Sequence, residues 1–409
     1  MRKVCLCYAA ICVLAAFISG SVVTAAVASE NLHDTGFGKT YCTGVPRLHV
    51  TGDFLYAAGE NGIFRHSKED GAEWQPFAMA GWNVVDFCVC GVDIVAIIVP
   101  EEYKGHDIDM RPVCRLVKGT TGDDGFRDIT PDGMTYQYQG DDRTYLSRLA
   151  QHPDVASTIS VMGHGGIYIS DDFGDSWRNV SYFSATYNAH SFLGWHPYNP
   201  QVMFMTSESA IYEAVIYRSD DGGATWDVIV PENNGDSSCH QLAFDPTDHD
   251  RILAAGECCI WESLDCGRSW HYIYSNDDEF DYAYNVLFDP SDSNRWYVME
   301  AHSYYPHRGI YSSSDNGLTW SKVKRFEYAD ELDAVYYDAI LFNNRIYFHG
   351  REDVSYYDLG QSAGTVNVPE GYSPEDAEYY NLQGVRLDRR PASGMYIRKC
   401  GSKADVVVF

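Results

Sequence analysis

Short runs in which apolar and polar residues alternate recur through the middle of this chain, and turn residues close each run. Four runs end in His-Pro or Asp-Pro, and two further apolar runs follow each of them. Alternation with a period of two, bounded by turn residues, predicts β-strands. The four runs are Leu149–Pro153, Leu193–Pro197, Leu242–Pro246 and Val286–Pro290.

A second motif, Ser-x-Asp-x-Gly-x-x-Trp, follows the third run of a unit and precedes a short fourth run. The tryptophans recur about every 50 residues, and the first gap is twice that length, which is typical of four-stranded propeller blades. The five copies are Ser67–Trp74 (with Glu69 in place of Asp), Ser170–Trp177, Ser219–Trp226, Ser263–Trp270 and Ser313–Trp320, and a degenerate copy lies at Thr121–Ile129.

This period predicts an all-β fold. We expect a seven-bladed β-propeller of four-stranded antiparallel blades over residues 45–370, followed by a small C-terminal β segment. Six or eight blades are the alternatives, because blade two (84–133) and blade seven (335–369) lack a clean tryptophan turn.

The turn motif resembles the Asp box of bacterial neuraminidases, and the whole unit is similar to the repeats of sialidases, xyloglucanase-type endoglucanases and sortilin-like receptors. The resemblance covers residues 45–370 and implies a propeller. It also implies that the Ser and Asp of each turn form hydrogen bonds within the turn while the Trp packs between strands. A calcium ion is not expected there, because calcium needs six or more converging oxygens.

The resemblance carries no catalytic residue over to this chain. The first blade begins Gly44-Val-Pro-Arg47-Leu48, which is not the Arg-Ile-Pro motif of sialidases. Xyloglucanase-type enzymes use two Asp in a cleft between two propellers, and this chain has room for one propeller. The ten-bladed ring and Cys-rich tail of sortilin-like receptors are also missing from the sequence pattern. The resemblance therefore favours a carbohydrate or peptide ligand without identifying a reaction.

The two ends of the chain predict export. Residues 1–28 have the pattern of a cleavable secretory signal, with Arg2 and Lys3 before an apolar run, and residues 29–44 are read as a lead-in. Residues 371–409, with Tyr379–Gly384, resemble the C-terminal sorting modules of secreted Bacteroidetes proteins. A β-hairpin packed on the propeller is the alternative for this tail. We expect a secreted or cell-surface protein without membrane insertion.

The amino-acid composition limits which binding partners are expected. The formal charge of −28 disfavours nucleic acids and anionic membranes, whereas 31 tyrosines suit a glycan surface or the strands of a propeller. The cysteines show no zinc-type spacing, so no metal and no cofactor is predicted, and buried thiols or one to three disulfides are the alternatives. Nine cysteines follow the signal: 42, 88, 90, 114, 239, 258, 259, 266 and 400.

Strand alternation predicts that one face of the propeller carries the function. Pro turns and tryptophan turns share one face, and the long irregular loops share the other, where binding residues usually lie. On that face, ionisable residues follow the second strands and form one ring, and a second ring comes from the starts of the first strands. The outer ring is Glu60, His164, Glu208, Glu257, Glu300, His302 and Arg351, and the inner ring is Arg148, His190, His240, Tyr284 and Asn285.

Two classes of function follow. The first is a propeller that binds or hydrolyses a glycan, with the acid and base drawn from Glu60, Glu208, Glu257 and Glu300. The second is a non-catalytic propeller that binds a protein or peptide or assembles a surface complex. A metal-dependent enzyme, using His164, His190, His240 and His302, is a third alternative that blade-to-blade spacing disfavours.

Overall fold

The computed structural model is a seven-bladed β-propeller with a small separate sheet formed by the C-terminal residues. No α-helix occurs in the residues that the structure describes, and Asp132–Met134 form one short 3-10 turn. The described residues are 32–34, 47–69, 72–101, 114–122, 125–138, 141–144, 146–163, 166–181, 192–208, 214–232, 239–256, 259–273, 283–300, 309–325, 338–349, 354–359, 378–380, 386–387, 395–400 and 403–408.

Each blade is a four-stranded antiparallel sheet whose strands follow one another in the chain, apart from one strand of the last blade. Blade 1 consists of β2 Leu48–Thr51, β3 Phe54–Gly59, β4 Gly62–Ser67 and β5 Gln75–Ala78. Blade 2 consists of β6 Asn83–Cys90, β7 Asp93–Val99, β8 Arg115–Thr120 and β9 Arg127–Asp128. Blade 3 consists of β12 Leu146–Gln151, β13 Ile159–Gly163, β14 Gly166–Ser170 and β15 Arg178–Ser181. A two-stranded hairpin precedes blade 3, with strands β10 Thr135–Tyr138 and β11 Asp141–Thr144.

The remaining strands complete the ring and the tail. Blade 4 consists of β16 Leu193–His196, β17 Asn199–Glu208, β18 Ala214–Ser219 and β19 Asp227–Ile229. Blade 5 consists of β20 Cys239–Phe244, β21 Ile252–Gly256, β22 Cys259–Ser263 and β23 His271–Ile273. Blade 6 consists of β24 Ala283–Asp289, β25 Asp292–Glu300, β26 Gly309–Ser313 and β27 Ser321–Arg325. Blade 7 is β28 Asp338–Phe342, β29 Arg345–His349, β30 Val354–Asp358 and β1 Leu32–Asp34, and the tail sheet is β31 Glu378–Tyr380, β32 Arg386–Leu387, β33 Met395–Cys400 and β34 Lys403–Val408.

The apolar core is divided into seven clusters, and each lies between two neighbouring blades. Phe204 of blade 4 and Trp261 of blade 5 are both fully buried in one cluster. Leu55 of blade 1 and Tyr347 of blade 7 belong to the cluster that closes the ring. Blades that are buried on both faces account for the nearly continuous apolar runs of their middle strands.

The N-terminal residues complete the last blade. Leu32–Asp34 pair antiparallel with Ser355–Tyr357, so a strand from the start of the chain is the outer strand of blade 7. Blade 7 needs no tryptophan turn of its own, because its fourth strand arrives from the other end of the chain. The lead-in predicted over residues 29–44 thus contributes to the propeller.

The four complete tryptophan turns have the hydrogen bonds expected within the turn. In blade 4, Ser219 Oγ accepts from the Gly223 N–H (2.8 Å) and donates to Asp221 Oδ1 (2.8 Å). Asp221 also accepts from the backbone N–H (2.8 Å) and the hydroxyl (2.7 Å) of Thr225. These bonds lower the pKa of Asp221, with the Thr225 N–H contributing most. Trp226 Nε1 donates to the Gly223 carbonyl at 2.9 Å, which closes the turn.

The glycine of each turn is required both by its backbone and by the neighbouring blade. Gly223 has φ +90°, and a Cβ there would lie 2.9 Å from Ile169 Cδ1 of blade 3 and 3.1 Å from Met203 Sδ. The residue before it is also left-handed, but nothing lies within 4 Å of Gly222. Asn316 has φ +60° at the same position of blade 6.

We predict that Gly223→Ala lowers the free energy of unfolding by about 2 kcal/mol or more, since it combines left-handed strain with overpacking. Gly222→Asn is the matched control and should change it by less than about 1 kcal/mol, because Asn tolerates this conformation in open space. Urea unfolding of both variants measures the difference. Equal destabilisation by the two variants would show that contact with blade 3 contributes nothing.

The Pro turns share one hydrogen-bond pattern, in which the acceptor is either a His or an Asp side chain. His196 Nδ1 accepts from the N–H groups of Tyr198 (3.2 Å) and Asn199 (3.1 Å). In blade 5, Asp245 Oδ1 accepts from the N–H groups of Thr247 (2.7 Å) and Asp248 (3.0 Å) in the same way. The imidazole nitrogen therefore replaces a carboxylate oxygen, which explains why the repeat has His-Pro in blades 3 and 4 and Asp-Pro in blades 5 and 6.

Six cysteines of the described part form no disulfide with one another: Cys88, Cys90, Cys114, Cys239, Cys259 and Cys266. Burial raises the pKa of Cys114 to about 12 and also raises that of Cys239. Five of these six side chains are buried and Cys90 is partly buried, so thiols rather than disulfides occur at these positions. The side chains of Cys42, Cys258 and Cys400 lie outside the described residues. Within the described residues no helix has the length and apolar character needed to cross a membrane.

Candidate functional site

The strand order confirms which loops share a face. Pro turns join the first and second strands and tryptophan turns join the third and fourth, so both lie on one side of the disc. The innermost strand of every blade starts on the opposite side, which also carries the loops between second and third strands. The channel at the centre of the disc opens there, beside the starts of the seven innermost strands.

One residue near the start of each innermost strand faces the next blade around the channel. The core clusters show which way each side chain faces: Leu242 packs towards blade 4 and Ala243 towards blade 6. Because side chains alternate along a strand, Gln241 faces away from Leu242, on the same side as Ala243. Six of these seven residues are polar. This set, called the entrance ring below, is His49, Asp86, Arg148, Phe192, Gln241, Asn285 and Asp338.

A β-bulge precedes the entrance-ring residue in blades 2, 3, 5 and 6. Val84 pairs with Ile98 and Asp86 with Ile97, which leaves Val85 as the extra residue. The same single insertion falls at Ser147, His240 and Tyr284. Bulges re-aim the following side chain and concentrate near functional sites. No sequence pattern used above predicts them.

Asp86 is a fully buried carboxylate that joins three blades. Its Oδ1 accepts from His49 Nε2 of blade 1 (2.8 Å), and its Oδ2 accepts from the Leu149 N–H of blade 3 (2.8 Å). Burial acts to raise the pKa of Asp86, but the His49 hydrogen bond and the charges of Arg47 and Arg148 outweigh burial and lower it. Asp86 therefore stays ionised.

Asp338 repeats this arrangement where the ring closes. It is 6% exposed, and its Oδ2 accepts from the Leu48 N–H of blade 1 at 2.8 Å. Arg148 is close enough to Asp338 and Asp86 for both carboxylates to raise its pKa, although burial lowers it overall. Its guanidinium carbon lies 6.0 Å from the Phe192 ring centroid. Blades 7, 1, 2 and 3 thus contribute a charged arc of His49, Asp86, Arg148 and Asp338.

Blades 4 to 6 contribute the other three ring residues, Phe192, Gln241 and Asn285. Together with His240, the bulge residue before Gln241, they are called the neutral arc. His240 is 4% exposed, and burial lowers its pKa to about 4, so the imidazole is neutral at pH 7. Asn285 is buried. Gln241 is partly buried, and its Oε1 is a buried acceptor that no described residue hydrogen-bonds. Sequence reasoning missed Gln241, as well as His49, Asp86 and Asp338.

The predicted site residues fall into three groups. Arg148, His240 and Asn285 lie at the starts of innermost strands, as predicted for the inner ring. Glu60 follows β3 and is partly buried, whereas Glu300 ends β25 and is fully buried. Glu208 ends β17 and Tyr284 lies in β24, but their side chains are outside the described part, and His164, His190, Glu257, His302 and Arg351 lie outside it altogether.

The described carboxylates of the entrance ring are suited to holding structure rather than to donating protons. A general acid must keep its proton near neutral pH, which requires a raised pKa. Asp86 has a lowered pKa and binds backbone N–H groups, so it does not fit that role. No group of three His, Cys, Asp or Glu in the described residues could hold a metal ion.

Comparisons with known proteins agree with this fold. The sortilin family model (Sortilin-Vps10; Sortilin, neurotensin receptor 3) matches residues 165–304. A GH74 enzyme from Niastella koreensis is 15% identical with a TM-score of 0.57, and a GH74 xyloglucanase from Xanthomonas campestris is 13% identical with a TM-score of 0.55. Each match covers 90% of this chain and 59% of the enzyme. This chain therefore spans less than two thirds of either enzyme.

A smaller propeller is matched over nearly its whole length. The protein YCF48, in a structure bound to a D1 peptide, is 13% identical with a TM-score of 0.52, and the match covers 81% of this chain and 98% of YCF48. At these identities the similarities show the fold alone. No curated protein matches the sequence.

We predict that Asp86→Asn lowers the free energy of unfolding by about 3 kcal/mol or more, because it removes a buried negative charge beside Arg47 and Arg148 and weakens the hydrogen bonds from His49 and Leu149. Asp53→Asn is the control: its ion pair with Lys68 is more than half exposed and should contribute less than about 1 kcal/mol. Urea unfolding at pH 7 compares them. Similar small losses in both variants would contradict the proposed role of Asp86 in joining the blades.

His240 predicts a pH dependence of stability. Its pKa is about 4 in the folded chain and near 6.5 when unfolded, so the unfolded state binds more protons between these values. Stability should therefore fall as the pH drops from 6.5 to 4, by about 3 kcal/mol from this residue. His240→Leu should flatten that slope, and His271→Leu, at a histidine that is 61% exposed, is the control. An unchanged slope in His240→Leu would contradict the assignment.

Proposed function

We propose that this protein is an exported bacterial propeller that binds a glycan over the entrance ring. The observation that carries the proposal is the ring itself, in which six of the seven residues near the starts of the innermost strands are polar. A rigid scaffold with convergent polar groups at a concave opening is the usual form of a small-ligand site. The signal-like residues 1–28 and the sorting-type tail support export.

Binding without hydrolysis is the form of this proposal that the described residues favour. Asp86 and Asp338 bind backbone N–H groups of neighbouring blades, which leaves them structural roles. Hydrolysis would have to come from Glu60, Glu208, Glu257 or Glu300, which remain candidates from the sequence. It would need two of these carboxyl groups about 5–9 Å apart.

The second candidate is binding of a peptide or protein. One observation favours it: YCF48, which is matched over 98% of its length, is bound to a D1 peptide in its structure, whereas the GH74 enzymes are matched over 59% of theirs. The charge of −28 would suit a cationic partner.

A glycan array with the purified mature protein tests the first candidate. We expect binding to one glycan class, and Glu60→Gln combined with Glu208→Gln should weaken it roughly tenfold, because hydrogen bonds to charged groups are lost. Glu73→Gln is the control, since Glu73 is exposed in the tryptophan turn on the opposite face of blade 1. Release of shorter sugars from a bound glycan would show an enzyme.

Absence of glycan binding by the folded wild-type protein would overturn the glycan proposal. The peptide candidate would then be tested with a cationic peptide library on the same surface. Loss of binding in Glu73→Gln, with binding kept in the double variant, would place the ligand on the opposite face.

A further inference from the structure

The entrance ring is divided by charge, and the division follows the blades. Asp338, His49, Asp86 and Arg148 form the charged arc, where each aspartate accepts a backbone N–H group of the next blade around the ring. Phe192, His240, Gln241 and Asn285 form the neutral arc. The two arcs differ in what remains for a ligand.

The charged arc is occupied by its own contacts. Asp86 accepts from His49, Phe87 and Leu149, at 2.8, 2.9 and 2.8 Å. Breaking these bonds to bind a ligand would cost the desolvation of buried charges, which exceeds what one new hydrogen bond returns. A ligand is therefore not expected to replace the partners of the carboxylates there.

The neutral arc contains a hydrogen-bond acceptor that lacks a donor. Gln241 Oε1 is buried and lacks a hydrogen-bond partner among the described residues, and the bulge at His240 directs Gln241 towards blade 6. A buried acceptor without a donor costs roughly 1–3 kcal/mol. An unsatisfied buried group calls for an explanation, and a ligand that donates a hydrogen bond to Gln241 would supply one.

The surroundings of Gln241 restrict the ligand. Its neighbours in the entrance ring are Phe192 of blade 4, a partly buried aromatic residue, and Asn285 of blade 6, a buried amide. His240 beside it is neutral. Amide side chains both donate and accept, which matches hydroxyl groups rather than a carboxylate, a phosphate or an ammonium group. Within the proposed glycan-binding function, this selects for a ligand without charge at the point of contact.

We propose that Gln241 is a ligand-binding residue that accepts a hydrogen bond from a hydroxyl group of an uncharged sugar, held on the neutral arc between Phe192 and Asn285. This inference rests on the proposed function and adds the class of glycan and the contact that selects it.

The test uses the mature protein and compares neutral with acidic glycans on the array, followed by titration calorimetry with the best neutral oligosaccharide. Gln241→Leu should weaken binding roughly tenfold or more, because a sugar hydroxyl loses its acceptor. The same change should leave stability unchanged or raise it, because an unsatisfied buried acceptor is removed. Gln201→Leu, at an exposed glutamine of β17, is the matched control and should bind as wild type.

The dependence of ligand affinity on salt concentration gives an independent test. Binding of an uncharged sugar should change little between low and high ionic strength, whereas binding of an acidic glycan or a cationic peptide should weaken with salt. Wild-type binding restricted to charged ligands would overturn the inference. Unchanged affinity in Gln241→Leu would also overturn it while leaving the proposed function standing. A wild-type protein that binds no glycan overturns both.

Discussion

The burial of both faces of every blade is the constraint on which this structure depends. A four-stranded sheet with two apolar faces is insoluble alone, so each blade needs a neighbour on either side, and only a closed ring supplies both. The seven core clusters, one for each pair of neighbouring blades, express this requirement. The pairing of Leu32–Asp34 with blade 7 adds to the apolar packing and the hydrogen bond between Leu48 and Asp338 that also join blades 7 and 1.

Polar contacts at the tryptophan turns also join each blade to the next one in the ring. Arg218 of blade 4 donates to the Cys266 carbonyl in the turn of blade 5 at 2.7 Å, and Arg251 of blade 5 donates to Asn316 Oδ1 in the turn of blade 6 at 2.9 Å. Lys118 of blade 2 pairs with Asp175 of blade 3 at 2.9 Å. The tryptophan turns therefore do two things: they satisfy their own backbone and they offer acceptors to the preceding blade.

The sequence was sufficient for the architecture because the repeat makes each signal appear several times. Gly223, Trp226 and the alternating strands occur in equivalent positions of several blades, so blade number and turn bonding could be predicted. The N-terminal strand of blade 7 was missed because three residues without a repeat partner have no periodic signal. The bulges were missed because an inserted residue such as His240 has no distinctive composition.

The site was predictable only in part, for a related reason. Ionisable residues at strand ends were recognised by their chemical type, which drew attention to Glu300 and Arg148. Gln241 escaped notice because an amide inside a strand looks like an ordinary polar position until the bulge shows where it points. Asp86 could have been noticed from sequence as a carboxylate within an apolar strand, since a buried charge there must be paired.

Closure of the ring also explains why charge and function separate at the entrance. The innermost strand of each blade is an edge strand of its sheet, so some of its backbone N–H groups have no strand partner and need another acceptor. Asp86 and Asp338 satisfy two of these groups, and Arg148 balances the carboxylates, so ionised side chains on that arc are needed to hold blades together. On the opposite arc the blades are joined by apolar packing around Phe192 and Cys239. Polar groups there are not needed for closure, and this freedom is what allows Gln241 to keep an acceptor open for a ligand.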